Sequence, residues 1–458
     1  MEACVPFQIY IHIPFCVRKC NYCDFLSFPA EKEIQEQYFD SLRQEILSFE
    51  DTEGREVVSV FFGGGTPSLP DPALIISTLD LVRARFRMAP DAEITLECNP
   101  GTLSPGNSSG GEAEPDPDSG DKLVRYRRAG INRLSLGLQS ADNGLLRTLG
   151  RIHSFEQFER EYRKARQAGF DNISVDLMYG LPGQTPQIWD ETLDRVLALD
   201  NGTDQEKTTG GERPAGPTGK AVGGERPAGP MGKAAGVERP ARAGEKAAGS
   251  IRTRRTGPEH ISAYSLIIEE GTPFYERYRE DAQLKSMGEK PLFLPSEEEE
   301  GKMLRDLKEK LHSAGMHRYE ISNYALDGYE SRHNSGYWLR RQYAGFGLGA
   351  SSQIGSVRYK NTDDLSRYLA GDFSKREMFV LSKDNEIEET MFLGLRMTRG
   401  VDLEDFERKF RVSALTVYAE QIPRLQERGL IELKDGRLFL TERGTDVSNL
   451  VMAEFLLD

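Results

Sequence analysis

The chain has 458 residues, 38% of them hydrophobic, and a formal net charge of −14. That length suffices for two or three domains and a buried core. The negative balance argues against general nucleic-acid or anionic-membrane binding, and no apolar run reaches the ~18 residues of a spanning helix. The first strand-like segment begins near residue 7, which leaves no room for a signal or transit peptide, so a cytoplasmic protein in a reducing compartment is expected.

That first segment, 9–13, runs into Cys16-Val17-Arg18-Lys19-Cys20-Asn21-Tyr22-Cys23-Asp24-Phe25, which holds three of the five cysteines. Thiols gathered this closely bind metal or form disulfides. A disulfide framework fits poorly, because nothing marks secretion and three thiols cannot pair evenly. A structural zinc site needs four protein ligands; His12 or Cys4 would have to complete the set, and neither lies at the usual spacing. A [4Fe–4S] cluster normally takes four thiolates, so three local ones would leave one iron open to an outside ligand.

Further strand-like segments cover 57–62, 94–97, 133–137, 173–176 and 260–266, and helical patterns fall between them at 33–49, 72–86, 123–129, 155–168 and 186–199. Alternating βα units predict a parallel sheet with right-handed crossovers. A partial TIM-like barrel and a doubly wound sheet both satisfy that pattern. The unusual residues cluster just after strands, where parallel α/β folds build their sites. After the second strand comes Phe62-Gly63-Gly64-Gly65-Thr66-Pro67, whose bare backbone offers N–H and C=O groups to a ligand or makes a tight turn. The third strand ends in Glu97-Cys98-Asn99-Pro100, the fourth in Gln139-Ser140, and the fifth continues as Asp176-Leu177-Met178-Tyr179-Gly180-Leu181-Pro182.

Two stretches break the rhythm. Residues 103–121 are rich in Gly, Ser, Pro and acid. Residues 202–257 contain three copies of about thirteen residues, each with Glu-Arg-Pro-Ala. Neither can bury enough apolar surface to order, so both are expected to be disordered insertions.

Beyond 270, Ser331-Arg332-His333-Asn334-Ser335-Gly336-Tyr337-Trp338 packs His, Asn, Tyr and Trp into six residues. It reads either as a packed turn or as a porphyrin site, where His ligates iron and flat aromatics cover a macrocycle. The last segment, 377–458, carries helical patterns at 387–397, 403–410, 415–428 and 441–456. An Asp435-Gly436 turn within 431–440 signals a hairpin. A winged-helix-like module is expected. Its 11 basic and 17 acidic residues make it a poor DNA-binding regulator.

Cys-x3-Cys-x2-Cys after a first strand resembles the signature of the radical S-adenosylmethionine (SAM) superfamily. Within it, His12-Ile13-Pro14-Phe15-Cys16, Tyr22-Cys23-Asp24-Phe25, the GGGTP loop and the run from Asp176 resemble the HemW heme-chaperone family and its relative, the oxygen-independent coproporphyrinogen III oxidases. The resemblance implies an α/β fold with a partial (β/α)6 TIM-like radical SAM barrel over 1–270. An extension over 271–376 would bear the HNxxYW motif, and a C-terminal helical, winged-helix-like domain would cover 377–458. It implies a [4Fe–4S] cluster on Cys16, Cys20 and Cys23, and SAM against Tyr10, Gly64, Gly65, Thr66, Glu97, Gln139, Arg151 and Asp176. It also implies heme near His333, Asn334, Tyr337 and Trp338. Two departures from the oxidase pattern favour the chaperone. Cys23-Asp24-Phe25 lacks the oxidase's fourth cysteine, and only fifteen residues precede Cys16. The expected partners are heme and an acceptor protein, with a membrane-associated acceptor and a homodimer both compatible. Coproporphyrinogen oxidase turnover is not expected.

Overall fold

The computed structural model describes residues 5–50, 54–103, 121–200 and 256–457. The insertions expected near 103–121 and 202–257 lie outside these residues except at their margins, as does Cys4. Six strands, β1 (Pro6–Ile13), β2 (Glu56–Gly64), β3 (Arg87–Cys98), β4 (Arg133–Gln139), β5 (Ile173–Tyr179) and β6 (His260–Ser265), lie side by side in chain order, all parallel. Between them run α1 (Lys32–Ser48), α2 (Pro72–Arg85), α3 (Lys122–Arg128), α4 (Asn143–Leu149), α5 (Phe155–Gln167) and α6 (Pro186–Leu197). Five of these helices follow apolar periodicities visible in the sequence. The seven-residue α4 is too short to show one; the Asp142 side chain caps its start and Gly150, left-handed at φ 80°, ends it.

Each barrel strand buries one face of aliphatic residues against the helices, among them Ile9, Ile11, Val60, Leu96, Leu134, Leu136 and Val175. The alternate positions point inward and are mostly polar: Tyr10, Ser59, Glu97, Arg133, Asp176 and His260 belong to this set. A closed TIM barrel fills that space with Val, Ile and Leu layers. Here it is a polar lumen.

Beyond β6 come α7 (Pro273–Ser286), α8 (Glu297–Ser313), β7 (His317–Arg318), β8 (Asn323–Ala325), α9 (Arg332–Trp338), β9 (Tyr343–Phe346), β10 (Ser351–Ile354), β11 (Val357–Asn361), α10 (Leu365–Leu369) and β12 (Lys375–Val380). The four-acid run opening α8 caps it: Ser296 and Glu299 form a capping box. The sheet order is β12-β11-β10-β9-β1-β2-β3-β4-β5-β6-β8-β7. Residues 271–380 therefore extend both edges of the six-stranded sheet, with β12 running four residues past the boundary expected at 376. β9 occupies the free edge of β1 and β8 that of β6, so β1 and β6 do not pair and the barrel stays open.

The remainder comprises α11 (Lys383–Gly394), β13 (Val401–Asp402), α12 (Leu403–Phe410), α13 (Ala414–Val417), α14 (Gln421–Glu427), β14 (Ile431–Lys434), β15 (Arg437–Leu440), α15 (Glu442–Asp446) and α16 (Ser448–Ala453). It has a hydrophobic cluster of its own around Phe406, Tyr418, Leu425 and Phe455, with a three-stranded sheet ordered β13-β15-β14. Two helices expected to be continuous are broken. Pro423 cannot supply the N–H that a helix running on from α13 would need, so the chain restarts with proline in the first turn of α14. The second break falls at Val447, between α15 and α16.

Candidate cofactor site at the barrel mouth

The three cysteines sit in the loop after β1, each partly exposed. Every sulfur faces a polar group from a different element. The Thr66 hydroxyl donates to Cys16 Sγ at 3.5 Å, Arg151 Nη1 approaches Cys20 Sγ at 3.8 Å, and Ser27 Oγ lies 4.0 Å from Cys23 Sγ. The charge of a Cys20 thiolate is felt at both neighbouring cysteines. Burial holds the Cys16 and Cys23 thiols above their ordinary range, a cost that a bound cation would offset. Among the described residues no three His, Cys, Asp or Glu side chains converge as ligands of a single metal ion. Three clustered thiols, with Cys20 in electrostatic reach of both others and no fourth ligand beside them among the described residues, suit a multi-iron cluster with an open iron better than a four-ligand zinc site.

The glycine loop is held against this cysteine loop by backbone. Gly65 N–H donates to Ile13 O and Thr66 N–H to Phe15 O, both at 2.8 Å. A side chain at Gly65 would meet Phe15 O at 2.8 Å and Cys16 Sγ at 3.0 Å, and one at Gly64, where φ is 113°, would strike the His12 ring at 2.6 Å. These are close approaches that only glycine permits.

The other predicted site residues divide by height in the barrel. At the mouth, Arg151 Nη2 donates to Asn99 Oδ1 at 2.6 Å, and Asn99 Nδ2 donates to Thr66 Oγ1 at 2.7 Å. Asn99 thus couples the glycine loop to the arginine beside Cys20. Sequence reading assigned it no role, although its place after the third strand was a signal. Arg151 also lines a small cleft at the mouth with Cys20, Thr66, Asn99 and His153. Gln139 closes β4 with φ at 72°, a backbone conformation that favours glycine.

Lower in the lumen, Glu97 Oε2 accepts from Gly64 N–H at 3.1 Å. Burial, aided by the neighbouring Asp176 charge, pushes its carboxyl up to about 8. Asp176 accepts from the Ser135 hydroxyl at 2.9 Å and the Ser174 hydroxyl at 3.2 Å. The Tyr10 hydroxyl donates to His12 Nδ1 at 3.1 Å. His12 Nε2 lies 2.9 Å from Leu26 O, which can only accept, so the proton sits on Nε2. His12 therefore orients Tyr10, a role invisible in the sequence.

The HNxxYW segment forms α9, and its residues split by helical spacing. His333 and Tyr337, four apart, face the lumen; Trp338 faces the C-terminal module, where Arg396 lies 4.2 Å above its ring. Asn334 shares that second face by spacing. His333 is 1% exposed and engaged at both ring nitrogens, Nδ1 with Ser59 Oγ at 2.9 Å and Nε2 with the Tyr337 hydroxyl at 3.0 Å. Its ring stacks on Phe61 at 4.9 Å, and burial drives its pKa down to about 3, so it is neutral. Glu93, midway along β3, accepts from the backbone N–H groups of Arg332 and His333, both at 3.0 Å, which anchors α9 under the barrel. The helix is a floor to the lumen whose mouth carries the cysteines.

A parallel six-stranded open barrel with three cysteines and a glycine loop at its mouth is the arrangement of radical SAM proteins. The family model described as the Radical SAM superfamily matches residues 10–196, and that of the HemN C-terminal domain matches residues 381–447. A protein of Bacillus subtilis (strain 168) named heme chaperone HemW is 31% identical over 453 residues, covering 98% of each chain. One of the same name from Lactococcus lactis is 31% identical, covering 99% of this chain and 98% of its own. The chain belongs to the heme chaperone HemW family. Coproporphyrinogen III oxidase (HemN) from Escherichia coli superposes with a TM-score of 0.71 at 21% identity, covering 99% of this chain and 90% of that one, which shows a shared fold.

Proposed function

We propose that this protein is a heme chaperone that binds heme and hands it to an acceptor protein, on a radical SAM scaffold carrying a [4Fe–4S] cluster and SAM. The observation that carries this is likeness to proteins named heme chaperone HemW along 98% of both chains, without the oxidase's extra cysteine after Cys23. In this reading Cys16, Cys20 and Cys23 hold the cluster. Tyr10, Gly64, Gly65, Thr66, Glu97, Gln139, Arg151 and Asp176 surround SAM, which when bound to the cluster supplies the means to form a 5′-deoxyadenosyl radical. Gly64 and Gly65 give the close backbone approach, Arg151 and Asn99 set the loop beside Cys20, and Glu97 offers a carboxylate to an ammonium group.

His333, Asn334, Tyr337 and Trp338 belong to the heme site. For His333 to ligate iron, the Tyr337 hydroxyl must first leave Nε2; otherwise His333 holds Tyr337 in place. Residues 1–270, 271–376 and 377–458 serve respectively as cofactor barrel, floor and cover. A membrane-associated acceptor and a dimer of two chains fit the same reading; no helix among the described residues is long and apolar enough to cross a membrane.

The test is anaerobic reconstitution followed by two assays on the same protein. Stoichiometric heme binding, seen in the Soret band, is expected, with no protoporphyrinogen IX formed from coproporphyrinogen III, SAM and reductant. Turnover would make the protein an oxidase. In parallel, His333→Ala is expected to shift the Soret band; an unchanged spectrum and affinity would remove His333 from the heme site.

A further inference from the structure

We propose that Arg133 is a carboxylate-binding group in the barrel lumen, and that when heme is the ligand it takes a propionate. The inference rests on the heme reading above and adds a place for the cargo's acidic end. Arg133 opens β4 on its inner face and is 2% exposed. It forms no hydrogen bond or ion pair among the described residues, and its Nε is buried with no partner. Across the β3–β4 ladder its neighbour is Thr95, wholly buried, whose Oγ1 also lacks a partner. A buried guanidinium left without an acceptor is costly, so something absent from the protein chain must face it.

The acids in reach do not fill that need. The charge of Arg133 is felt at Glu97 and Asp176, yet Glu97 is held by Gly64 N–H and Asp176 by the hydroxyls of Ser135 and Ser174. Neither comes within ion-pair distance of the guanidinium. The lumen above is open. Tyr264, on β6 near both acids, retains 42% exposure. A planar fork of free N–H donors beside a free hydroxyl matches a carboxylate. Arg133 lies at the floor end of the lumen, its charge felt at His333 and His260, so a porphyrin against the His333–Tyr337 floor would bring a propionate within its reach. Ordered water is the rival occupant.

Heme and heme dimethyl ester, whose propionates are esterified, are to be titrated into the cluster-reconstituted full chain and followed by the Soret band. Wild type is expected to bind heme about tenfold or more tightly than the diester, as for a charge-assisted pair. In Arg133→Met, heme affinity is expected to fall to that of the diester while the diester itself is unaffected. Equal affinity of wild type for the two porphyrins overturns the proposal and leaves Arg133 to water, and this reading needs no variant to fold. A folded Arg133→Met that still prefers heme also overturns it. Binding of neither porphyrin by wild type would defeat the heme reading, and the carboxylate site with it.

Discussion

Glu97 is a carboxyl whose proton the fold holds unusually tightly. Its folded value of about 8 stands well above the ordinary 4.5, so it stays protonated in the folded chain where the unfolded chain has already ionised. The sign follows: its contribution favours folding most at low pH and is lost as pH rises from about 4.5 through 8. Thermal unfolding of the cofactor-free protein should therefore weaken over that range more in wild type than in Glu97→Gln. If an ammonium group of SAM faces Glu97, its charge stabilises the carboxylate, and binding near pH 7 should release about one proton. Calorimetry in buffers of different ionisation enthalpy would show this; release that persists in Glu97→Gln would move the contact elsewhere. The thiols make a second comparison. Alanine at Cys16, Cys20 or Cys23 should abolish the cluster's absorbance and EPR signals. Cys98→Ala should leave them intact, because Cys98 is buried in β3 with its thiol turned to Leu96 O at 3.6 Å. Loss of the cluster in Cys98→Ala would break the three-ligand assignment.

Among the elements, α9 shows most clearly how local spacing and tertiary context divide the work. Where the sequence suggested a packed turn or a porphyrin site, the chain forms a short helix whose cap is local: Ser331 Oγ accepts from Asn334 N–H. Which face meets the barrel is not a local matter. Gly336 decides it, since a Cβ there would lie 2.0 Å from Gln8 Oε1, and Gln8 in turn donates from Nε2 to His333 O at 2.8 Å and Ser59 Oγ at 3.0 Å. Gly336→Ala should lower stability by roughly 1–3 kcal/mol, the usual cost of overpacking a tight contact. Combined with Gln8→Ala, the total should be smaller than the sum of the two single losses, measured by denaturant unfolding. Full additivity would mean that α9 does not bear on Gln8.

Over the whole molecule, the ends flanking residues 201–255 are joined by a direct contact: Gly257 N–H donates to Leu199 O at 2.9 Å. A few residues can close that gap. Deleting 205–253 is expected to leave cluster content and thermal unfolding near wild type, since loop-closure entropy changes only slowly with length. A collapse in soluble yield would show that the repeats contribute to the fold. The C-terminal module is tied to the floor by Arg340, whose Nε donates to Glu389 Oε2 at 3.0 Å, and by Arg396 over Trp338. Further ties come from outside α9: Thr398 N–H donates to Tyr319 O at 3.0 Å, and Arg358 Nη1 donates to Glu389 Oε1 at 2.8 Å.

Most of the barrel and its mouth was legible in the chain itself. Strand and helix periods marked all six barrel strands and the helices between them except α4, though not α7 after the sixth strand, and the cysteine spacing and GGGTP loop located the mouth. Those signals are local, set by a few residues whose geometry does not wait on the rest of the fold. Tertiary structure alone decided that 271–380 extends both sheet edges, because pairing partners for three- and four-residue strands are chosen by the free edges of β1 and β6. It alone turned His333 and Tyr337 inward and Trp338 outward, since a helix presents both faces and packing selects between them. It also left the guanidinium of Arg133 without a partner, because that depends on where five other strands place their side chains.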